Sequence, residues 1–423
     1  MGRALRHRDF ALYAVFGWFS SLGLWVQRTA VMWLAWQLTH SGTWLGAIAI
    51  AEIVPYVLFA PIAGAISDRF DRLKVARAAQ FAAMLVTTLL TVLSFSGLVT
   101  IELLFVLIMF SGGVETFWTA VRMAMPPNLV PKDDVAAALS IGALTFNVSI
   151  SVGPVISGFI ITHWAVSWAF AFNAVSFALY FVALQFIRLT LREPQSRRGR
   201  NFFADMTEGI AYTLRHPGIS ILLPVMLLSA LCLRGYRDLL AGISDTVYHL
   251  GAQGFSILLA ATGIGAILSS LYLGNVAKVK GLTNYLIANQ VTAVVAIVVF
   301  GTIHHYWVGV ACSAVLGWCI TTIGIGAQIL LQTAVRGEMR GRVMSLWSIV
   351  VRAGPALGAQ IAGRASEWWG FQIPLVALAL IFVVPLGFMF VRRGRVAAYM
   401  EVGPDEAPNA HASTETRTAS RPS

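Results

Sequence analysis

Seven ionisable side chains lie well inside the long apolar stretches of this sequence of 423 residues, away from the ends of those stretches. They are Arg28, Glu52, Glu115, Arg234, Arg237, Asp238 and Arg352. Hydrocarbon offers no water to an ionised group, so each of them must pair with an opposite charge or face a wet cavity. A carboxylate in such a place can carry a proton or bind a cation, and an arginine can bind an anion. We therefore interpret the seven as candidates for a cavity and for proton coupling.

Two roles stay open for the five of these residues that are predicted at similar depth. These are Arg28, Glu52, Arg234, Arg237 and Asp238. In the first role they form a permanently paired network that closes the periplasmic side without touching a substrate. In the second role Glu52 or Asp238 exchanges a proton or binds a cationic substrate, while the arginines bind anionic groups. Both roles predict that the five side chains share one network.

Arg352 and Glu115 are predicted at other depths. Arg352 lies near the middle of its apolar run and needs an acceptor there, which is a carbonyl freed by Pro355, the Glu115 carboxylate or a substrate. Glu115 lies closer to the cytoplasmic end of its run, beside Arg122. We predict that it helps to close that end rather than acting as a coupling acid.

The composition requires a membrane to hold these side chains in place. Hydrophobic residues make up 57% of the chain and charged residues 12%, about half the charged share of a soluble protein. A membrane helix needs about 20 mostly apolar residues. The sequence predicts an all-α membrane protein with twelve such runs, at 10–36, 43–66, 75–97, 100–121, 135–162, 165–187, 218–242, 252–275, 284–303, 306–332, 342–368 and 371–391.

Lysine and arginine orient these runs. All but five of the 30 basic residues fall in alternate connections or at the two termini, and the exceptions lie inside predicted helices. The positive-inside rule therefore predicts that both termini and the 188–217 connection are cytoplasmic. The net charge of +11 consists of short scattered clusters, which argues against nucleic acid as a partner. Trp33, Trp36 and Trp44 are predicted to lie in an aromatic belt at the outer interface.

The chain divides into two sets of six runs. We predict an N-terminal bundle at 1–187, a cytoplasmic linker at 188–217 with an amphipathic helix over 201–215, a C-terminal bundle at 218–391, and a disordered cytoplasmic tail at 392–423. Gly153-Pro154 recurs as Gly354-Pro355, and at a constant offset of 210 the set Gly46, Gly64, Asp68 and Gln80 corresponds to Ser256, Gly274, Lys278 and Gln290. Such a duplication predicts two halves with a shared site near the bilayer midplane.

Two motifs carry a family resemblance. The loop after the second run contains Gly64, Asp68, Arg69, Arg72 and Lys74, and the fifth run contains Gly153, Pro154 and Gly158. They resemble motif A and the antiporter motif of the major facilitator superfamily, and other stretches are similar to its drug–proton antiporter branch, which includes macrolide and enterobactin exporters. The resemblance implies that Asp68 and the basic residues form a cytoplasmic latch, with Arg122 as charge partner.

The resemblance also implies an activity. It predicts alternating access with proton-coupled efflux of an amphipathic small molecule, such as a drug or siderophore, across the bacterial inner membrane. The alternative is a facilitator or importer of an anionic small solute. Leu24 and Ile108 stand where many relatives carry an acid and a coupling arginine. Known catalytic motifs are absent, so no enzyme, cofactor or metal site is expected, and the expected partners are a small molecule, protons and lipid around a monomer.

Overall fold

The computed structural model of the protein describes residues 3–189, 202–276 and 279–403, and these residues contain helices and no strand. The helices are α1 (Arg8–Thr39), α2 (Gly42–Arg69), α3 (Arg72–Phe95), α4 (Ile101–Ala124), α5 (Val135–His163), α6 (Val166–Phe186), α7 (Phe202–Arg215), α8 (Ile219–Ser229), α9 (Leu240–Thr246), α10 (Gly251–Val276), α11 (Leu282–Thr302), α12 (Tyr306–Ala334), α13 (Gly337–Trp369), α14 (Gln372–Val391) and α15 (Arg393–Met400).

Short polar side chains begin several of these helices. Ser41 accepts a hydrogen bond from Trp44 N at the start of α2, and Thr100 accepts one from Leu103 N at the start of α4. These side chains satisfy backbone N–H groups that the first turn of a helix leaves unpaired. His40 ends α1 in the left-handed region with φ +47°, which allows the tight return into α2.

Eleven spans among the described residues are long and apolar enough to cross a membrane. One of them combines α8 and α9 with the segment that joins them. The helix at the remaining predicted position, α13, has 33 residues, ample to span about 30 Å of hydrocarbon. It is more polar than the others because it carries Arg352, Arg364 and Glu367. The structure is therefore consistent with twelve spans.

The seventh span is interrupted in its middle, although the sequence predicts one continuous run over 218–242. A π-helix over Ala230–Arg234 and a 3₁₀-helix over Gly235–Leu239 separate α8 from α9. Gly235 permits a close approach of α13 to this segment, because a Cβ there would lie 2.5 Å from Ala359 N. Irregular turns inside a helix often mark functional sites, and this one holds three of the seven candidate charges.

The two halves pack in a duplicated manner. Helices α1–α6 contact one another, helices α8–α14 do likewise, and α2 meets α13 as α5 meets α10. Gly46 lies against Gln360 at the first cross-half interface, and Gly158 lies against Ser256 at the second. Gly46 and Ser256 are counterparts in the sequence repeat, so the repeat is reproduced in the packing. The exact bundle boundaries remain predictions.

Two faces of the molecule are defined by contacts between distant residues. On the terminal face, where the described chain starts and ends, His7 Nε2 lies 3.0 Å from Asp134 Oδ2, and Thr283 N donates to Glu401 at 2.8 Å. On the opposite face, Ser41 Oγ donates to Glu367 Oε1 at 2.5 Å. Both ends of the described chain therefore lie on one face, as an even number of spans requires.

Two predictions outside the spans have different outcomes. The helix predicted over 201–215 is confirmed by α7, whose Glu208 pairs with Arg342 of α13. The prediction of a disordered tail over 392–423 is wrong at its start, because α15 occupies Arg393–Met400. Val396 and Met400 are buried there, and this apolar contact holds the helix against the C-terminal half. Residues 190–201 and 404–423 lie outside the described residues.

Candidate functional site

A cavity of about 360 Å³ penetrates the N-terminal half from the terminal face. Phe10 of α1 and Pro126, just after α4, line it near that face, and Arg28 and Glu52 line it farther from that face. Its wall comes from α1–α6, with Arg352 of α13 as the one lining residue from the other half among those described. The predicted site between two equal halves is therefore asymmetric in this conformation.

Arg28 and Glu52 form an ion pair across α1 and α2. Arg28 Nε donates to Glu52 Oε1 at 3.2 Å, and Nη2 lies 3.2 Å from Oε2, so both carboxylate oxygens are engaged. Such a two-bond pair fixes the guanidinium plane as well as its charge. The side chains are 27% and 24% exposed, so the pair still faces the cavity. The pairing satisfies each charge within the membrane.

Trp25 connects this pair to the C-terminal half. The Arg28 guanidinium carbon lies 4.9 Å from the centre of the Trp25 ring, and that of Arg237 lies 5.4 Å from it. A cation attracts the face of an aromatic ring at such distances. Gly153 makes room behind Trp25, because a Cβ there would lie 2.5 Å from the Trp25 Cβ. The antiporter-like motif thus positions a ring that two arginines share.

The predicted network of five charges is only partly formed. Arg28, Glu52, Arg237 and Asp238 interact electrostatically around Trp25. Arg234 interacts with this group through the charge of Arg237, but its hydrogen bond goes to another helix. Its Nη2 donates to Ile320 O of α12 at 3.2 Å. The irregular turns after Ser229 change the helical register, so Arg234 and Arg237 point to different neighbours.

Arg352 and Arg122 stack on aromatic rings that line the same cavity. The Arg352 guanidinium carbon lies 4.1 Å from the centre of the Tyr56 ring, and that of Arg122 lies 4.7 Å from the centre of the Phe146 ring. No carboxylate in the described part of the chain lies within 4.0 Å of either guanidinium. Aromatic stacking therefore orients both arginines and leaves their charges available.

Glu115 lines the cavity rather than joining Arg122. Its Oε1 accepts a weak hydrogen bond from Thr119 Oγ1 at 3.5 Å, and its charge acts on Arg28. Within the described ranges no ion pair links Glu115 to Arg122. The role of Glu115 in closing that end therefore stays a prediction.

The motif A region is described in part. Asp71 begins α3 by accepting from Leu73 N at 2.9 Å and Lys74 N at 3.2 Å. Arg72 Nη1 donates to Asn128 Oδ1 at 2.7 Å, which ties this loop to the end of α4. Among the described atoms a Cβ at Gly64 would meet nothing within 4 Å, so no described helix approaches closely there. The side chains of Asp68 and Arg69 lie outside the described residues, and the latch stays a prediction.

Sequence reasoning missed the aromatic residues of the site and misplaced two tryptophans. Tyr56 and Phe146 receive the arginines described above, and the four-residue spacing from Glu52 places Tyr56 on the same face of α2. Trp33 and Trp36 are 6% and 2% exposed, so the predicted lipid-facing belt is wrong for both. They are buried because α1 packs against the C-terminal half at the opposite face.

The remaining chemical side chains do not form a second site in the described ranges. Cys232, Cys312 and Cys319 are buried free thiols. No group of three or more His, Cys, Asp or Glu residues is placed to hold a metal ion in the described chain. The cavity and its charges are thus the best-supported candidate for function.

Comparison with known proteins identifies the family of this chain. The family described as transmembrane secretion effector matches residues 3–413. The staphyloferrin A transporter of Staphylococcus aureus (strain NCTC 8325 / PS 47) is 26% identical over 386 residues, which cover 88% of this chain and 93% of that protein. The enterobactin exporter EntS of Escherichia coli O1:K1 / APEC is 23% identical over 364 residues, covering 82% of this chain and 83% of its own.

Solved structures share the fold. A bacterial homologue of the iron transporter ferroportin in an inward-facing state has a TM-score of 0.69 at 15% identity, covering 90% of this chain and 98% of its own. The nucleoside transporter NupG has a TM-score of 0.67 at 14% identity, covering 91% and 98%. At 14% and 15% identity, these similarities show a shared fold and nothing about the substrate. The chain belongs to the transmembrane secretion effector family of the major facilitator superfamily and is a multi-pass membrane transporter.

Proposed function

We propose that the protein exports an amphipathic small molecule across the bacterial cytoplasmic membrane in exchange for protons, by alternating access. The observation that carries the proposal is the cavity, which reaches the terminal face while contacts between the halves close the opposite face. The relatives named for staphyloferrin A and enterobactin support a siderophore or a similar compound as the first substrate class to test.

The proposed orientation places both termini in the cytoplasm, as the basic residues predict. The cavity then faces the cytoplasm, where an exporter loads its substrate. The motif A latch around Asp68 would form in the alternate conformation, with the terminal face closed. The open space at Gly64 supports this view, because a formed latch brings helices close together there.

Proton coupling is proposed to run through Glu52 or Asp238. Both carboxylates belong to the charge group around Trp25, where the two halves meet. A protonated Glu52 no longer pairs with Arg28, so the proton would change the contacts that hold α1 to α2. The proton gradient supplies the energy, and the proposal includes no cofactor, no enzymatic reaction and a monomeric protein.

Flux through proteoliposomes tests this function. A strain lacking the gene, screened for altered sensitivity to toxic compounds and siderophores, provides labelled substrates. Vesicles that hold the protein with its terminal face outward are expected to accumulate such a substrate when the lumen is acidic and not when the gradient is collapsed. Flux that is indifferent to the gradient contradicts proton antiport.

A second candidate is a facilitator or importer of an anionic small solute. The presence of Arg28, Arg122 and Arg352 on the cavity wall favours it. A facilitator equilibrates its solute across the same vesicles without a gradient, and a proton-coupled importer concentrates it only when the lumen is basic, the reverse of antiport. The two functions therefore give different end points in one assay.

A further inference from the structure

Three arginines of the described chain line the cavity, and two of them have no carboxylate partner among the described residues. Arg28 is engaged by Glu52, whereas Arg122 and Arg352 stack on Phe146 and Tyr56 without a carboxylate within 4.0 Å in the described ranges. Buried or half-buried guanidinium groups in a membrane are costly unless a counter-charge or water satisfies them. The described lining holds these three arginines against two carboxylates, Glu52 and Glu115, so the cavity carries a net positive charge.

Arg352 occupies the most informative position of the three. It is the one described lining residue from the C-terminal half, and the Tyr56 ring of the N-terminal half holds its guanidinium plane at 4.1 Å. A stacked guanidinium keeps its edge N–H groups free, and those groups match the geometry of a carboxylate. A ligand anion at Arg352 would therefore contact both halves of the transporter.

The rest of the wall suits an apolar or aromatic body. Trp18 and Trp118 line the cavity, and aliphatic side chains form much of the remaining lining. Aromatic faces bind flat apolar groups at modest entropic cost. Wall and arginines together favour a molecule with an acidic end and an apolar body.

We propose that the substrate is an amphipathic organic anion whose carboxylate pairs with Arg352 while its apolar body lies against the tryptophan wall. This inference rests on the export function proposed above and specifies the charge of its substrate. Arg122 provides a second cationic contact nearer the terminal face. Because Arg352 belongs to α13 and the other contacts belong to α1–α6, the bound anion ties the halves together and favours their joint movement.

Equilibrium binding of three matched probes to the purified full chain tests the proposal. Tritiated 2-naphthoate, 2-naphthamide and 2-naphthylmethylammonium share one ring system and differ in charge. We expect naphthoate to bind roughly tenfold or more tightly than naphthamide, as a charge-assisted hydrogen bond requires. Arg352→Gln should remove this preference, and Arg352→Lys should keep part of it because the charge remains while the planar fork is lost.

Arg364→Gln is the matched control. Arg364 lies on the same helix, is exposed near the opposite face and does not line the cavity, so its loss should leave the naphthoate preference unchanged. Size-exclusion profiles and Tm values establish that each variant is folded. Equal binding of naphthoate and naphthamide, failure of all three probes to bind, or a preference that survives in Arg352→Gln overturns the proposal.

Flux of the same probes separates this inference from the export function. Proton-driven accumulation of naphthamide or naphthylmethylammonium in preference to naphthoate overturns the anion proposal and leaves export intact. Naphthoate binding that depends on Arg352, combined with flux that ignores the gradient, supports the anion site and contradicts proton antiport. Accumulation of naphthoate driven by the gradient and lost in Arg352→Gln supports both.

Discussion

Trp36 of α1 donates its indole Nε1–H to Oδ2 of Asp245 in α9 at 2.9 Å, and this bond joins the two halves at the opposite face. His40 approaches the same carboxylate oxygen at 3.8 Å and packs against the Trp36 ring. Ser41 and the Thr43 N–H both donate to Glu367 of α13. These bonds must break if the opposite face opens.

Replacing Trp36 by Phe should therefore favour opening of the opposite face. The ring stays buried while the hydrogen bond to a carboxylate is lost, so we expect a shift of roughly fivefold or more toward the open form. Spin labels on α1 and α10 near that face report the distance distribution. Trp44→Phe is the control, because Trp44 packs against Phe105 within the N-terminal half. Unchanged distances in Trp36→Phe would show that this bond does not hold the face closed.

Asp68→Asn should impair turnover more than the amount of folded protein. The latch prediction gives Asp68 a role in the alternate conformation, so its loss slows the transport cycle. Asp71→Ala is the contrasting variant, because Asp71 caps α3 and its loss should cost about 1 kcal/mol of stability. Flux per folded molecule and Tm values separate the two. Normal turnover of intact Asp68→Asn protein would refute the latch.

Neutralising the carboxylates near Trp25 should change the pH dependence of transport. In Glu52→Gln or Asp238→Asn a proton-carrying side chain no longer titrates, so flux should become less sensitive to pH on the side that supplies protons. Glu102→Gln is the control, since Glu102 is exposed at the start of α4. Flux measured from acidic to basic pH provides the test. Unchanged profiles in both variants would remove Glu52 and Asp238 as proton carriers.

Gly158→Ala should destabilise the contact between α5 and α10. The added Cβ would overlap the Ser256 side chain, and overpacking of this kind costs ~1–3 kcal/mol when the backbones must separate. Gly142→Ala adds the same methyl group to the same helix at a position with nothing within 4 Å. Thermal unfolding in detergent compares the two. Equal Tm values would show that the interface tolerates separation without cost.

Glu401→Ala should loosen the attachment of α15. The Glu401 carboxylate accepts from Gly281 N at 2.6 Å and from Thr283 N at 2.8 Å, which caps the start of α11. Loss of such a cap costs about 1 kcal/mol. Hydrogen exchange at the first turn of α11 should rise, while Arg395→Ala, on the exposed side of α15, leaves it unchanged. Equal exchange in both variants would contradict the capping role.

The membrane spans and the internal duplication could be predicted from the sequence because both appear in the order of the residues, without knowledge of their contacts. Apolar run length is a property of consecutive residues, so the helices lie close to the predicted runs. The repeat of Gly-Pro pairs predicted two related halves, and in the structure the contact of Gly153 with Trp25 corresponds to that of Gly354 with Ala230. Arg28 and Glu52 could be predicted to pair because neither charge can stay alone in hydrocarbon.

The partner of each other charge was decided by the tertiary structure. A regular helix predicts Arg234 and Arg237 in one network, but the π and 3₁₀ turns direct Arg234 to Ile320 O. The sequence predicts that Trp36 faces lipid, but in the structure it is buried where α1 packs against α9. Likewise the stacking of Arg352 on Tyr56 joins residues 296 positions apart. Hydrophobicity along the chain determines which segments enter the membrane, whereas helix register and packing between distant segments determine which side chains meet inside it.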